Sequence, residues 1–267
     1  MIYLKDRLDV VLVNKDFFTS REKAKASIMA GIVFVNGQRV DKAGTLIDVE
    51  SEIFIKENLC PYVSRGGLKL EKAMEEFGFD LKDKFSMDMG ASTGGFTDCM
   101  LQKGAQKVYA IDVGYGQLDY KLRIDERVVN MEKTNIRYLD TDLILEPIDF
   151  ISIDVSFISL KLILPVASKV LDQNGSIVCL VKPQFEAGRE QVGKKGIVRD
   201  INVHKEVIMN VIEYGKNVDL YPGGLTYSPV TGAKGNIEYL LYFTKEKVEF
   251  NLEKVDEVVN NSHKELA

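Results

Sequence analysis

Apolar positions in this chain change period along its length. Over residues 7–30 they recur at helical spacing. Leu8, Val11 and Leu12 share one face of a first short helix, and Ala24, Ser27, Ile28 and Ala30 share one face of a second. Ser20 is placed to cap the second helix. Lys23, not an acid, follows three residues on, so no capping box forms, and Gly31 ends the helix. The pattern then becomes extended. Ile32-Val33-Phe34-Val35 and Gln38-Arg39-Val40 flank Asn36-Gly37, a strong hairpin signal, and Glu52-Ile53-Phe54-Ile55-Lys56 adds another strand. These elements predict a small α+β domain over residues 1–57.

Pro61 interrupts regular structure, so a linker is expected over 58–63 and a larger domain over 64–267. In the larger domain, apolar strand-like runs alternate with helical patterns. Strands are expected at 85–89, 107–111, 128–131, 148–153 and 177–181, with helices at 95–103, 158–171 and 201–214. Extended segments near 218–227 and 236–243 are expected to pair antiparallel at one sheet edge. Alternation of this kind predicts an α/β fold with a mostly parallel sheet. The order resembles the seven-stranded sheet of Rossmann-like methyltransferases.

Composition narrows the class only a little. The 267 residues are 45% apolar and 28% charged, as in an ordinary globular protein. The net charge of −5 does not advertise nucleic-acid binding, but binding depends on where basic groups cluster. Acidic and basic residues are equal in number over 1–57. Cys60, Cys99 and Cys179 lack metal or disulfide spacing, which points to a reducing cytoplasm, with Cys99 and Cys179 in the core. The N-terminus has no signal-peptide organisation, and no run of about 18 apolar residues exists. His204 and His263 read as surface residues. Acid–base chemistry is therefore expected from Lys, Asp, Glu or Tyr.

Candidate chemistry lies at the ends of the apolar runs. Lys69 opens a helical pattern after Ser64-Arg65-Gly66-Gly67, Asp154 ends 150–153, Lys182 ends 177–181, and Glu238 precedes Tyr239-Leu240-Leu241-Tyr242-Phe243. Ligands bind at the carboxyl ends of parallel strands. Charges beside such runs are costly unless paired. The first strand leads into Asp88-Met89-Gly90-Ala91-Ser92-Thr93-Gly94-Gly95-Phe96, whose spacing is not that of a dinucleotide fingerprint. The second strand ends at Asp112, where an acid can hold the two hydroxyls of an adenosyl ribose. After Asp154 the chain reads Val155-Ser156-Phe157, without the proline-containing form common in enzymes that methylate base amines.

Residues 7–56 resemble an S4 domain through Arg7-Leu8-Asp9, Ser20-Arg21-Glu22-Lys23-Ala24, Ile28, Gly31 and Val33-Phe34-Val35-Asn36-Gly37. That resemblance implies RNA binding, with phosphate contacts from Arg21, Lys23, Lys25 and Arg39. The whole chain is similar to the TlyA family, whose larger domain resembles the FtsJ-like ribose 2′-O-methyltransferases. The stretches that carry this include 62–70, 90–98, 112–118, 134–137, 154–160, 181–186 and 228–239.

The TlyA resemblance implies cytidine 2′-O-methylation in ribosomal RNA of the small or large subunit, with S-adenosylmethionine as cofactor, no metal and no membrane. It implies donor contacts from Asp88, Gly90, Ser92, Gly94, Gly95, Phe96, Asp112 and Asp154. It also assigns catalytic positions. Lys182 is the base or the group that stabilises the alkoxide. Lys69 holds the hydroxyl and favours a neutral Lys182. Asp154 orients Lys182, and Glu238 anchors one of the lysines. Arg65, with Arg189, Lys194, Lys195 and Arg199 on a glycine-bearing loop expected to be mobile, would meet RNA phosphates. The readings from other classes are a membrane-acting haemolysin and a non-catalytic RNA-binding protein with a degenerate methyltransferase domain.

Overall fold

The computed structural model describes residues 5–18, 20–29, 31–56, 60–232 and 234–266. The chain divides into two compact units between Pro61 and Tyr62. Ala30, Glu57 and the linker residues Asn58 and Leu59 lie outside the described residues.

The smaller unit contains β1 (Lys5–Arg7), α1 (Leu8–Asn14), α2 (Arg21–Met29), β2 (Val33–Val35), β3 (Gln38–Arg39), β4 (Leu46–Asp48) and β5 (Ile53–Ile55). Leu8, Val11, Leu12, Ala24 and Ile28 from the helices meet Val33, Val35 and Ile47 in one small core. The Ser20 hydroxyl accepts from the Lys23 amide at 3.3 Å, giving the expected N-terminal cap. β2 pairs with β3 across Asn36-Gly37, where both residues have positive φ (49° and 78°), as such a turn requires. β1 and β4 pair with each other and escape the sequence pattern. Each has three residues, β1 carries three charged side chains, and the partners lie about forty positions apart.

The larger unit runs α3 (Gly66–Phe77), β6 (Phe85–Met89), α4 (Gly95–Gln102), β7 (Lys107–Ile111), α5 (Tyr120–Arg123), β8 (Val128–Met131), β9 (Ile148–Ile153), α6 (Leu164–Val170), β10 (Leu171–Val181), α7 (Pro183–Glu186), α8 (Ile201–Lys216), β11 (Tyr221–Tyr227), β12 (Tyr239–Thr244) and α9 (Glu253–Leu266). Its seven strands are ordered β11-β12-β10-β9-β6-β7-β8. β10, β9, β6, β7 and β8 are parallel, and β12 runs antiparallel to both β10 and β11. The expected antiparallel edge is thus present. Met87, Met89, Ile151, Ile153, Ile177 and Val181 are fully buried, as strands covered on both faces should be.

The helix expected over 158–171 is shorter than its pattern. Pro165 sits in the first turn of α6, where its missing N–H costs no bond, and Leu171 already belongs to β10. The expected linker also differs from the structure at its far end. Tyr62 packs against Gly67, its hydroxyl donates to Glu71 Oε1 at 2.8 Å, and the Val63 amide donates to Asp98 Oδ2 at 2.8 Å. Both residues are part of the larger unit.

Candidate active site

Strand register assembles the four candidate residues. Ile153 of β9 lies beside Met89 of β6 and Cys179 of β10, so Asp154 leaves the sheet at its carboxyl edge. In the antiparallel β10–β12 pair Val181 is opposite Tyr239, and Lys182 and Glu238 are the next residues outward at the same edge. Lys69 comes from the first turn of α3. Residues separated by up to 169 positions therefore converge on one cavity of about 640 Å³, which all four line.

Their charges pair as buried charges must. Lys182 Nζ is 2.5 Å from Asp154 Oδ1 and 3.0 Å from the Ser156 hydroxyl. Lys69 Nζ is 2.8 Å from Glu238 Oε2 and 3.6 Å from Asp154 Oδ2. The second Glu238 oxygen accepts from the Gln184 amide at 3.3 Å. The side chains of Lys182, Lys69 and Glu238 are 9%, 11% and 5% exposed, so two cations and two anions share a largely dry floor. A dry site strengthens each of these interactions relative to water. Such a cluster can hold a hydroxyl oxygen and stabilise negative charge developing on it.

The glycine-rich loop forms one wall. Gly90 has φ +96°, and a side chain there would meet the Asp154 carbonyl oxygen at 2.5 Å. Only glycine allows this close approach of two strand ends. Gly90, Ser92, Gly95 and Phe96 line the cavity, but Gly94 and Asp112 do not. Gly94, at φ +92°, faces Leu122 and Leu118 instead.

Asp112 accepts from the Ser92 amide at 2.8 Å and the Gly114 amide at 2.7 Å, so it braces the loop from the next strand. Asp88 is 1% exposed and accepts from the Thr97 amide (3.0 Å), the Thr97 hydroxyl (2.7 Å) and the Ser152 hydroxyl (2.9 Å). Burial pushes its carboxyl up to about 6 against these bonds. Its oxygens are committed to shaping the start of α4. A sulfonium donor fits this wall. Gly90, Ser92, Gly95 and Phe96 line it, and the partly exposed Asp154 carboxylate offers a negative charge at its edge.

At the mouth, Phe157 is 90% exposed and holds φ +63°, a strained conformation for an aromatic residue. Its ring lies 4.9 Å from that of Phe185. Arg65 and Lys234 are further lining residues. Lys194, Lys195 and Arg199 line a second cavity of about 310 Å³. The loop that carries them is tethered, because buried Asn236 accepts from the Val198 amide (3.2 Å) and donates to the Gly196 carbonyl (2.9 Å).

Ser156, Phe157, Gln184, Phe185 and Asn236 were not singled out as site residues. Each sits within three positions of a candidate charge, and that adjacency was the available signal.

In the smaller unit, Arg21, Lys23 and Arg39 are exposed, and Arg39 runs alongside Gly31 at the end of α2. Lys25 is half-buried. Arg21 is not a fully available cation. It joins Arg7 on the buried carboxylate of Asp9, at 2.8 and 2.9 Å, and Arg7 foremost, with Arg21, holds that carboxyl down at about 2.

His204 corrects the sequence reading, being 1% exposed. Its charged neighbours lie on the solvent side of α8 while it shares the inner face with Val203, Val207 and Ile208.

Comparisons with known proteins agree with this architecture. Residues 62–245 match the FtsJ-like methyltransferase family, and residues 6–53 match the S4 domain. The chain is 52% identical over 98% of its length, and 95% of the relative's, to Bacillus subtilis YqxC, provisionally named an rRNA methyltransferase. It is 39% identical, over 88% of both chains, to the Mycobacterium tuberculosis 16S/23S rRNA (cytidine-2′-O)-methyltransferase TlyA. A solved Streptococcus thermophilus structure, provisionally called a hemolysin, superposes with a TM-score of 0.79 at 47% identity, covering 98% of this chain and 97% of that one. The chain therefore belongs to the FtsJ-like methyltransferase family, in its TlyA branch, with an S4 domain ahead of the methyltransferase domain.

Proposed function

We propose that this protein transfers a methyl group from S-adenosylmethionine to the 2′-hydroxyl of a cytidine in ribosomal RNA of the small or large subunit. The observation that carries this reading is the paired Lys69–Asp154–Lys182–Glu238 cluster on the floor of a cavity walled by the glycine-rich loop. The names of the B. subtilis and M. tuberculosis relatives support the substrate.

When bound, S-adenosylmethionine supplies a methyl group already activated by its sulfonium. Gly90, Ser92, Gly95 and Phe96 would hold it, with Asp112 and Asp88 bracing the loop. Asp154 fixes Lys182 through the 2.5 Å ion pair and leaves its second oxygen toward Lys69. Lys69, held by Glu238, and Lys182 bind the ribose hydroxyl oxygen. As the oxygen–carbon bond forms and the donor's sulfur–methyl bond breaks, the hydroxyl proton would pass to Lys182 reacting in its neutral form, while the Lys69 ammonium holds the oxygen as negative charge develops on it. Asp154 thus works both on the lysines and on the sulfonium side of the cavity.

Arg65 and the tethered Lys194, Lys195 and Arg199 suit flanking phosphates. Lys23, Lys25 and Arg39 of the S4 domain suit phosphates of structured RNA. Phe157 offers an exposed π-face at the mouth, where an unstacked base can rest.

The test is incubation of purified protein with methyl-labelled S-adenosylmethionine and separate, unmodified 30S and 50S subunits. Label is expected in rRNA, and Lys182→Ala is expected to lower transfer by at least about a hundredfold while donor binding persists. Undiminished turnover in that variant would remove Lys182 from the mechanism. Donor binding with no label in either subunit would favour the non-catalytic reading. The haemolysin reading demands dye release from liposomes. Among the described residues no helix is long and apolar enough to cross a membrane.

A further inference from the structure

The match to the FtsJ-like family ends at residue 245, yet α9 begins at Glu253 and reaches a residue next to the cluster. Tyr239 opens β12, immediately after Glu238, and is fully buried although it carries a hydroxyl. A buried hydroxyl needs partners. This one has two, on two different helices: His204 Nδ1 on α8 at 2.7 Å and Ser262 Oγ on α9 at 3.1 Å.

The direction of the bonds follows from the acceptors. His204 Nε2 lies 3.0 Å from the Val198 carbonyl, which can only accept. In the neutral imidazole Nε2 therefore carries the proton, Nδ1 is the acceptor, and the Tyr239 hydroxyl donates to it. With its own proton on His204, the Tyr239 oxygen accepts from the Ser262 hydroxyl at 3.1 Å, a proton that the Val259 carbonyl at 2.9 Å can also take. Successive strand side chains point to opposite faces. Glu238 consequently faces the cavity, and Tyr239 faces α8 and α9. His204 also grips the backbone at Val198, whose amide is held by Asn236, another cavity-lining residue. The Tyr239 side chain is thus fixed on the helix side of the sheet while Glu238 holds Lys69 on the other.

We propose that Tyr239 is a positioning residue for Glu238, and that α9, through Ser262, is part of the catalytic scaffold. This rests on the proposed role of the Lys69–Glu238 pair. Tyr239→Phe keeps the ring and removes only the hydroxyl. Amide exchange over residues 228–240 is expected to accelerate about fivefold to tenfold, the effect of one buried hydrogen bond. The kcat for subunit methylation is expected to fall by a similar factor, with KM and donor Kd unchanged. Ser262→Ala should shift exchange and kcat in the same direction.

In a Glu238→Gln background, adding Tyr239→Phe should change residual kcat by less than about twofold, because coupled positions are non-additive. Unchanged exchange in Tyr239→Phe, or an equal kcat loss in both backgrounds, overturns the proposal. If the wild-type protein labels neither subunit, the reading of the site fails. The exchange measurement then still decides whether the hydroxyl anchors this segment.

Discussion

Gly90 shows how much one residue decides. Its φ of +96° and its approach to the Asp154 carbonyl bring the ends of β6 and β9 together, so the donor wall and the charged floor share an edge. Alanine there introduces a Cβ 2.5 Å from a backbone oxygen that cannot rotate away. Gly90→Ala is expected to destabilise the larger unit by about 1–3 kcal/mol and to weaken donor binding at least about tenfold by displacing Asp154. Calorimetric titration with S-adenosylmethionine checks this, and wild-type affinity at wild-type stability would refute it. Phe157 is a second strained position, where an aromatic ring is held out into solvent instead of joining the core. Such strain is retained where the surroundings over-determine it, here by the Phe185 contact and the turn after Asp154.

At the scale of elements, α8 and α9 form the support behind the cluster. Lys205 and Asp256 pair across them at 2.6 Å, and His204 and His263 meet at 3.4 Å inside their interface. Burial holds both imidazoles below their usual range. Beside burial, His263 further lowers His204, and Asp200 and the Val198 carbonyl partly offset this. A histidine whose folded pKa is depressed adds stability that is present above the unfolded value near 6.5 and lost as pH falls below it. Amide protection of α9 is therefore expected to drop several-fold between pH 7 and pH 5, after correction for intrinsic exchange. Protection that is flat over that range would show that the two rings do not govern the packing. The sequence pattern located α8 correctly but misjudged His204, because helical periodicity gives a face and not what covers it. Here the cover is α9, about fifty residues downstream.

Over the whole molecule, charge is distributed and not massed. The net charge is −5, and several cations are spent internally, Arg7 and Arg21 on Asp9 and Arg123 on Glu132. The cations proposed for RNA contact are accordingly few, with Lys23 and Arg39 exposed and Lys25 half-buried in the smaller unit. Replacing Lys23, Lys25 and Arg39 together by alanine is expected to weaken binding of subunits uniformly. It should also reduce the slope of log affinity against log salt by about two to three, one counterion for each lost phosphate contact. A filter-binding series across salt concentrations measures this, and an unchanged slope would move the RNA face elsewhere. Methyl transfer should then fail through KM while kcat at saturating substrate is kept, since these residues lie in the other compact unit from the cluster.

Sequence alone determined most element types, though not β1 and β4, together with the parallel sheet and its antiparallel edge, the glycine-rich loop and the charges beside apolar runs, from which the family resemblance singled out four. These rest on local information: side-chain period, turn chemistry, and the cost of placing a charge beside an apolar run. Tertiary structure alone decided which charges meet. The Lys182–Asp154 and Lys69–Glu238 pairs span 28 and 169 positions, and only strand register closes such distances. It also decided that Asp88 and Asp112 brace the loop with their carboxylates, that Arg21 is partly neutralised, and that a buried histidine and the C-terminal helix stand behind Glu238. Hydrogen-bond partners at long separation leave no period in the chain. They are fixed only when the sheet sets its register and the helices dock on it.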